Sequence, residues 1–441
     1  MSARDKISNP SGAATATASL PPSSKAHASR TPRNAPQPPP FADRFFERLI
    51  AFFTSLRLTV ACLAFGLLLV FIGTLAQVEI GLYKAQNEFF RSFFVFWGPA
   101  GGSWKIPVFP GGYLLGGVLL LNLITSLCTR FSFNRKKSGI ILVHIGLILL
   151  LLGQLLTDML SVESGMQLYE GQTKNYSEDF RASELVVIDK TDPQFDTVYS
   201  IPEHKLTGTG EIRDHRLPFT VRVRKFWPNA VVVQPGANAP AGAIASGATA
   251  GQLKDALLMP QPVVASMEQR NTPGAVVELG AGKGSAGSFL VGYSIARENL
   301  TTISQDVTLD GRHYEVGLRF RRYYYPFNLT LLKATHEQYR GTDIPKNFAS
   351  RVRVQNPDRN EARETAIYMN NPLRYGGLTF YQYQMMAGEA AEKAGLPPSS
   401  TFQVVRNPSW LTPYLSCILV ALGLFVQFGS HLFDFVKRRT A

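Results

Sequence analysis

The chain has 441 residues, of which 45% are hydrophobic and 17% charged, and it carries a formal charge of +13. Its three cysteines, Cys62, Cys128 and Cys417, all fall in or at the ends of apolar runs, which excludes a disulfide-stapled fold and a Cys-x-x-Cys thiol oxidoreductase. A mean hydropathy near zero averages four apolar runs with a large polar remainder, and such runs are the mark of an integral membrane protein.

In chain order, residues 1–40 are rich in Ser, Ala and Pro and end in APQPPP. They cannot bury enough apolar surface to offset their entropy, and a disordered tail is expected. Over 41–57, Phe45, Phe46, Leu49, Ile50 and Phe53 recur at helical spacing opposite Arg44, Glu47 and Arg48. That pattern predicts an amphipathic helix lying on a membrane surface. Spans follow at about 58–76, 112–127 and 138–160, each near the ~20 residues that a bilayer core requires. The loop between the first two spans holds Trp97 and Trp104 among several Phe residues, a composition that suits the membrane interface. In the second span Gly112 and Gly116 form a small-xxx-small pair that permits close helix approach. Asn122 and Gln154 are polar residues within spans, suited to hydrogen bonds between helices.

Residues 161–408 alternate in period two, as in TVRVRKF, HYEVGLRFRRYYY and SRVRVQN. In the second of these, Tyr314, Val316, Leu318 and Phe320 share one face, with His313, Glu315, Arg319 and Arg321 on the other. Alternation of this extent predicts half-buried antiparallel strands, with one short helix near GEAAEKAG. PGANAPAGAIASGATAG interrupts the strands and reads as a long mobile loop, and the sequence leaves open whether the region forms one β lobe or two. A fourth span is expected at 409–436, followed by a basic tail, 437–441. The fold class is therefore an α-helical membrane protein with four transmembrane helices plus a large antiparallel β-rich domain.

Basic residues set the expected orientation. Arg44, Arg48 and Arg57 precede the first span, Arg130, Arg135, Lys136 and Lys137 join the second and third, and Lys437, Arg438 and Arg439 follow the fourth. The positive-inside rule then puts both termini in the cytoplasm and the β domain outside. Much of the positive charge sits in these flanks and the tail, so it calls for a bilayer and no nucleic acid.

Two histidines lie within spans. His144 is seven residues beyond Lys137, which puts it about 10 Å along the helix at ~1.5 Å per residue. An ionisable group at that depth is costly and faces the bundle interior. Two chemistries meet that requirement, a hydrogen bond to a neighbouring helix or axial ligation of haem iron. His431, six residues before Lys437, reads as lying at a comparable depth, so that the two could ligate one iron; it is also near enough to the boundary to snorkel to water. The histidines of the β region, His204, His215, His313 and His336, lack metal-ligand spacing. No phosphate loop, zincin motif or nucleophile elbow is present. No catalytic residue can be assigned.

Several stretches read together resemble the ResB family of the system II cytochrome c biogenesis machinery. They are SLRLTVACLAFGLLLVFIGTLAQ in the first span, GIILVHIGLILLLLGQLLTDMLSVESGMQLYEGQT through the third, YYPFNLTLLKATHEQYRGTDIPKNFASRVRV late in the β region, and AIYMNNPLRYGGLTFYQYQM from Ala366 to Met385. The resemblance implies three spans, an extracytoplasmic β domain and a fourth span in a bacterial inner membrane. It also implies a CcsA-like partner, transient haem b, and export of haem for attachment to apocytochrome c. In it the histidine of the third span, here His144, helps hold haem; nothing equivalent is implied for His431. The partner's Trp-rich motif and external histidine pair have no match here, which implies a partner-dependent subunit of a cytochrome c synthase. A non-haem scaffold presenting its β domain to another envelope assembly is the alternative. A third reading, an envelope enzyme with Tyr323, Tyr324 and Tyr325 lining a cleft, lacks a catalytic pair.

Overall fold

The structure is a computed structural model that describes residues 41–99, 104–130, 137–208, 210–217, 219–236, 239–264, 270–281, 284–296, 299–338 and 345–440. The 1–40 tail, and Arg135 and Lys136 of the basic loop, lie outside these residues. The helices are α1 (Phe41–Phe53), α2 (Leu56–Ile80), α3 (Leu82–Ala85), α4 (Gly112–Arg130), α5 (Ser138–Leu160), α6 (Glu389–Ala394) and α7 (Thr412–Thr440). Of these α2, α4, α5 and α7 are long and apolar enough to cross a bilayer, and the chain is a multi-pass membrane protein.

On α1 the apolar stripe is bare, with Phe45 54% and Phe46 59% exposed, as an interfacial helix requires. This helix stops at Phe53, earlier than the expected 57, and α2 begins at Leu56. Asn122 of α4 explains how the break is tolerated. Its buried amide donates to the carbonyls of Phe53, at 2.6 Å, and Ser55, at 3.2 Å, and accepts from the Thr59 hydroxyl at 2.8 Å. Carbonyls freed by the break are thus satisfied inside the bundle. The other polar span residue, Gln154, is exposed. On the last helix the hydrogen-bonded turns continue through Lys437, Arg438 and Arg439, cations that suit a helix C-terminus.

Close helix packing does not use the glycines singled out in the second span. A Cβ on Gly112 would meet the Phe90 carbonyl, in the preceding loop, at 2.3 Å, and one on Gly116 would meet nothing within 4 Å. The close contact is between α5 and α7, along Gly139, Gly146 and Gly153, spaced by seven. A Cβ there would lie 2.7 Å from the Gly423 oxygen, 2.6 Å from Val420 and 2.4 Å from Thr412, respectively. The two helices run antiparallel and their backbones touch.

Beyond the first span a hairpin, β1 (Phe94–Trp97) and β2 (Ile106–Pro110), brings Trp97 and Trp104 edge to face at 6.1 Å. The β domain follows α5 directly. It comprises β3 (Val162–Tyr169), β4 (Thr173–Asp189), β5 (Thr197–Pro202), β6 (Glu211–Ile212), β7 (Thr220–Trp227), β8 (Ala230–Val233), β9 (Ile244–Ala245) and β10 (Leu257–Pro260). Next come β11 (Gly274–Ala281), β12 (Gly284–Ala296), β13 (Asn299–Leu309), β14 (Arg312–Gln338), β15 (Pro345–Asn356), β16 (Glu361–Tyr368), β17 (Leu373–Tyr375), β18 (Leu378–Met386) and β19 (Ser399–Arg406). All pairings are antiparallel, and one sheet runs β17-β18-β19-β3-β4-β14-β13-β12-β11-β7-β6, with β15 and β16 added beside β14 and β5 beside β4. The antiparallel β domain and four membrane helices are the fold class expected from the sequence.

The question of one lobe or two resolves into one large sheet and a small one, β8-β10-β9, over several cores. Leu185, Val187, Val221, Val277, Val316 and Leu318 pack in the first; Leu168, Leu329, Val352, Phe380 and Phe402 pack in the second. The 27-residue β14 passes through both. Its expected apolar face, Tyr314, Val316, Leu318 and Phe320, is buried. On the expected polar face, however, Arg319 is also buried, paired with Glu184 of β4 at 2.9 Å. Nor is the Gly/Ala-rich stretch a simple loop: its described part contributes β9, and Ser246 is 1% exposed. Gly251, at φ 84°, packs against Gln305, whose side chain accepts from the Gln252 amide at 2.9 Å and donates to the Leu290 carbonyl at 3.1 Å. Buried polar pairing of this kind fixes a segment that composition alone makes look loose.

Candidate functional site

His144 is half-buried in the N-terminal half of α5. Its Nδ1 lies 2.9 Å from the Ile140 carbonyl, which can only accept. Nδ1 is therefore the donor of that bond, and Nε2 is the nitrogen that an iron would take. A ligating histidine whose other nitrogen donates to a backbone carbonyl is the usual arrangement, so the residue fits one axial position of haem.

At 100° per residue, His144 is displaced by between 140° and 200° from Gly139, Gly146 and Gly153, so it stands on the face turned away from α7. Asp158, fourteen residues on, shares the face of His144. Its carboxylate pairs with Arg91 at 2.6 Å and with the Tyr113 hydroxyl at the start of α4, which ties the loop after α2 to the α4–α5 side of the bundle.

His431 does not join His144. Gly139 meets Gly423 and Gln427, and Gly146 meets Ser416 and Val420, so the α7 level opposite His144 is near residue 420. From there to His431 is about 16 Å at ~1.5 Å per residue, past the first turn of α5. The two imidazoles differ in depth and face, and the comparable depth inferred from distance to the flanking lysines is corrected: α7 extends further beyond α5 than the charges imply. His431 is exposed, and its Nε2 accepts from the Gln427 side-chain amide at 2.7 Å. Among the described residues a single imidazole stands at the depth of His144, and a second axial ligand would come from elsewhere.

The histidines of the β domain have ordinary surroundings. His336 stacks on Phe348 at 4.4 Å, His313 shares a hydrogen bond with Thr308 at 3.2 Å, and His215 lies beside Asp214. Among the described residues no group of three His, Cys, Asp or Glu is placed to hold a metal ion.

Tyr323, Tyr324 and Tyr325 do line a cleft, of about 810 Å³, where β14 bulges out of register with β4. Its walls come from the ends of β3 (Val162, Ser164) and β19 (Arg406) and from the turns holding Asn356, Arg359 and Gly376. Tyr325 bonds to the Ser177 hydroxyl, and Arg322 is held by Glu178 at 3.1 Å over the Tyr176 ring at 4.2 Å. Tyr323 donates to Asp179 at 2.8 Å, and burial together with that carboxylate pushes its hydroxyl up to about 12. Phenols so held stay protonated. Sequence alternation placed the tyrosines on a strand; the bulge that turns them toward one cleft has no sequence signal beyond Pro326.

A family model described as "ResB-like family" matches residues 279–398, from β11 through β18 and α6. Among curated proteins the chain is similar to Protein NrfI of Wolinella succinogenes, at 30% identity over 99 residues. That match covers 22% of this chain and spans 10% of the length of the relative. Among solved structures, Cytochrome c Heme Lyase CcmF is similar over 71% of this chain and 30% of that one, at 9% identity and a TM-score of 0.18, too low to carry an argument. The similarity to the ResB-like family thus covers residues 279–398 of this chain.

Proposed function

We propose that this protein is a membrane subunit of cytochrome c biogenesis. The observation that carries the reading is the ResB-like match over residues 279–398, in a chain whose third span carries His144 with its Nδ1 held by a backbone carbonyl. In this reading His144 supplies one axial ligand to haem within the membrane, and a CcsA-like partner of the system II type supplies the other. Haem, as cargo, brings the vinyl groups to be joined to apocytochrome c. The residues of this chain hold and orient; they move no proton in the attachment step. The β domain, on the outer face of a bacterial inner membrane, docks apocytochrome c or the partner, and both termini lie in the cytoplasm.

The α5–α7 pair supports such a role, because these helices lead straight into the neighbouring strands β3 and β19. Thr157, Asn407 and Ser409 cross-link the junction, with Thr157 to Ser409 at 2.8 Å and Asn407 to Thr157 at 3.3 Å. These bonds tie the end of α5 to the segment that enters α7. The reading is tested by deleting the gene and staining membranes for covalent haem. Loss of c-type cytochromes, restored by the wild-type chain and not by His144→Ala, is the expected result. Wild-type amounts in the deletion strain would overturn it in favour of a scaffold for another assembly.

A further inference from the structure

The tyrosine cleft has a position and a charge that cytochrome assembly does not explain. It lies where the β domain meets the membrane. Val162 is two residues beyond the end of α5, and Arg406 is six residues before the start of α7. Next to Tyr375 of its wall, Arg374 stacks over Trp410 at 5.0 Å, in the linker that enters α7. The cleft therefore opens at head-group depth, where aromatic and basic side chains concentrate.

Three arginines and one aspartate, Asp358, line it. Arg322 is taken by Glu178, but Arg359 and Arg406 are exposed and have no ion-pair partner among the described residues. Beneath them Asn356 is 6% exposed. Its Nδ2 donates to the Tyr375 hydroxyl at 3.2 Å, which donates onward to Glu361 at 2.7 Å, and its Oδ1 has no donor. A buried acceptor without a donor is uncommon and asks for one. The site thus combines two unpaired cations at the rim, an acceptor at the floor, and apolar walls from Val162, Phe327, Leu378 and Val404. Its volume, about 810 Å³, is ample for a small polar group with the first part of an apolar tail.

We propose that this cleft binds the head group of an anionic, hydroxyl-bearing phospholipid from the leaflet that faces the β domain. The phosphate sits between Arg359 and Arg406, a head-group hydroxyl supplies the donor that Asn356 lacks, and the glycerol backbone leaves along Val162 toward the bilayer. A basic pocket next to membrane helices is the chemistry that selects such lipids over zwitterionic ones. Bound lipid would then brace the strand ends that α5 and α7 enter.

The test uses the full-length protein in a non-ionic detergent and native mass spectrometry with added dioleoylphosphatidylglycerol or dioleoylphosphatidylcholine. The expected result is retention of phosphatidylglycerol about tenfold or more above phosphatidylcholine, the scale set by two head-group arginines. In Arg359→Gln/Arg406→Gln that preference should vanish. Lys333→Gln/Arg351→Gln, an equal loss of charge where the sheet is farther from the membrane, should keep it. Equal retention of the two lipids, or the same loss in both double variants, would overturn the proposal. So would displacement of the lipid by an equal concentration of glycerol phosphate, which would make this a site for soluble anions. All four substituted side chains are at the surface, so folding is not at stake.

Discussion

The mutual backbone contact between α5 and α7 makes Gly139→Ala a demanding test. A methyl group at Gly139 would lie 2.7 Å from both the Gly423 oxygen and the Gln427 nitrogen, neither of which can rotate away. To regain the 3.4 Å of an ordinary contact the helices must part by 0.7 Å, the difference of the two distances. A gap of that size forfeits about a quarter to a half of each dispersion contact along the seam. Forced overpacking in a close-packed core costs about 1–3 kcal/mol, and an immovable neighbour points to the upper half of that range. Gly116→Ala is the control: it meets nothing within 4 Å and gains helix propensity, so it should be neutral or stabilising by up to about 1 kcal/mol. Reversible unfolding in mixed micelles, followed by circular dichroism, separates the two. If Gly139→Ala is as stable as Gly116→Ala, the close α5–α7 crossing is wrong, and with it the placement of His144 on the opposite face.

Other expectations follow from single contacts. Glu184→Gln leaves Arg319, 7% exposed, without its counter-charge and should cost about 3–5 kcal/mol in chemical denaturation, whereas Glu184→Met/Arg319→Met should recover most of it. Asn122→Leu removes the donor shared by the Phe53 and Ser55 carbonyls and should cost about 1–3 kcal/mol in the same micelle assay; an unchanged midpoint would mean that the α1–α2 break satisfies itself. Tyr323 binds its proton more tightly folded than unfolded, so its contribution is complete below about pH 10 and lost as the pH rises toward about 12. Comparison with Tyr323→Phe should show an extra alkaline loss of stability in the wild type, and phenolate absorbance rising at the ordinary pH would contradict the buried Asp179 bond. His431→Ala should leave haem content and c-type cytochromes unchanged, because its imidazole is exposed and about 16 Å from the level of His144.

What sequence could reveal depended on whether a feature is periodic or spatial. The four spans and the apolar face of β14 are carried by runs and alternations, and they appear with only their ends displaced, since hydrogen-bonded turns do not stop where apolar composition does. Features made by register were hidden. Gly139, Gly146 and Gly153 repeat at seven, a legible interval, yet their meaning lies in the partner helix. Gly112 and Gly116 satisfied the familiar motif and serve neither helix contact. Arg319 sat on the polar stripe, and its burial depends on Glu184, 135 residues away in the chain. Depth counted from flanking lysines placed His431 beside His144, but such counting assumes that both helices end at one plane. At the candidate site, the single imidazole was legible; its tautomer and facing, and the cleft closed by the β14 bulge, were not.

The central claim is that His144 offers its Nε2 to haem iron. The most direct measurement is the absorption spectrum of the complex purified through this chain, wild type beside His144→Ala and His431→Ala. The account predicts a Soret band in the wild type and in His431→Ala, weakened in His144→Ala and restored by added imidazole. A band of equal strength in all three preparations would contradict it and return His144 to helix packing.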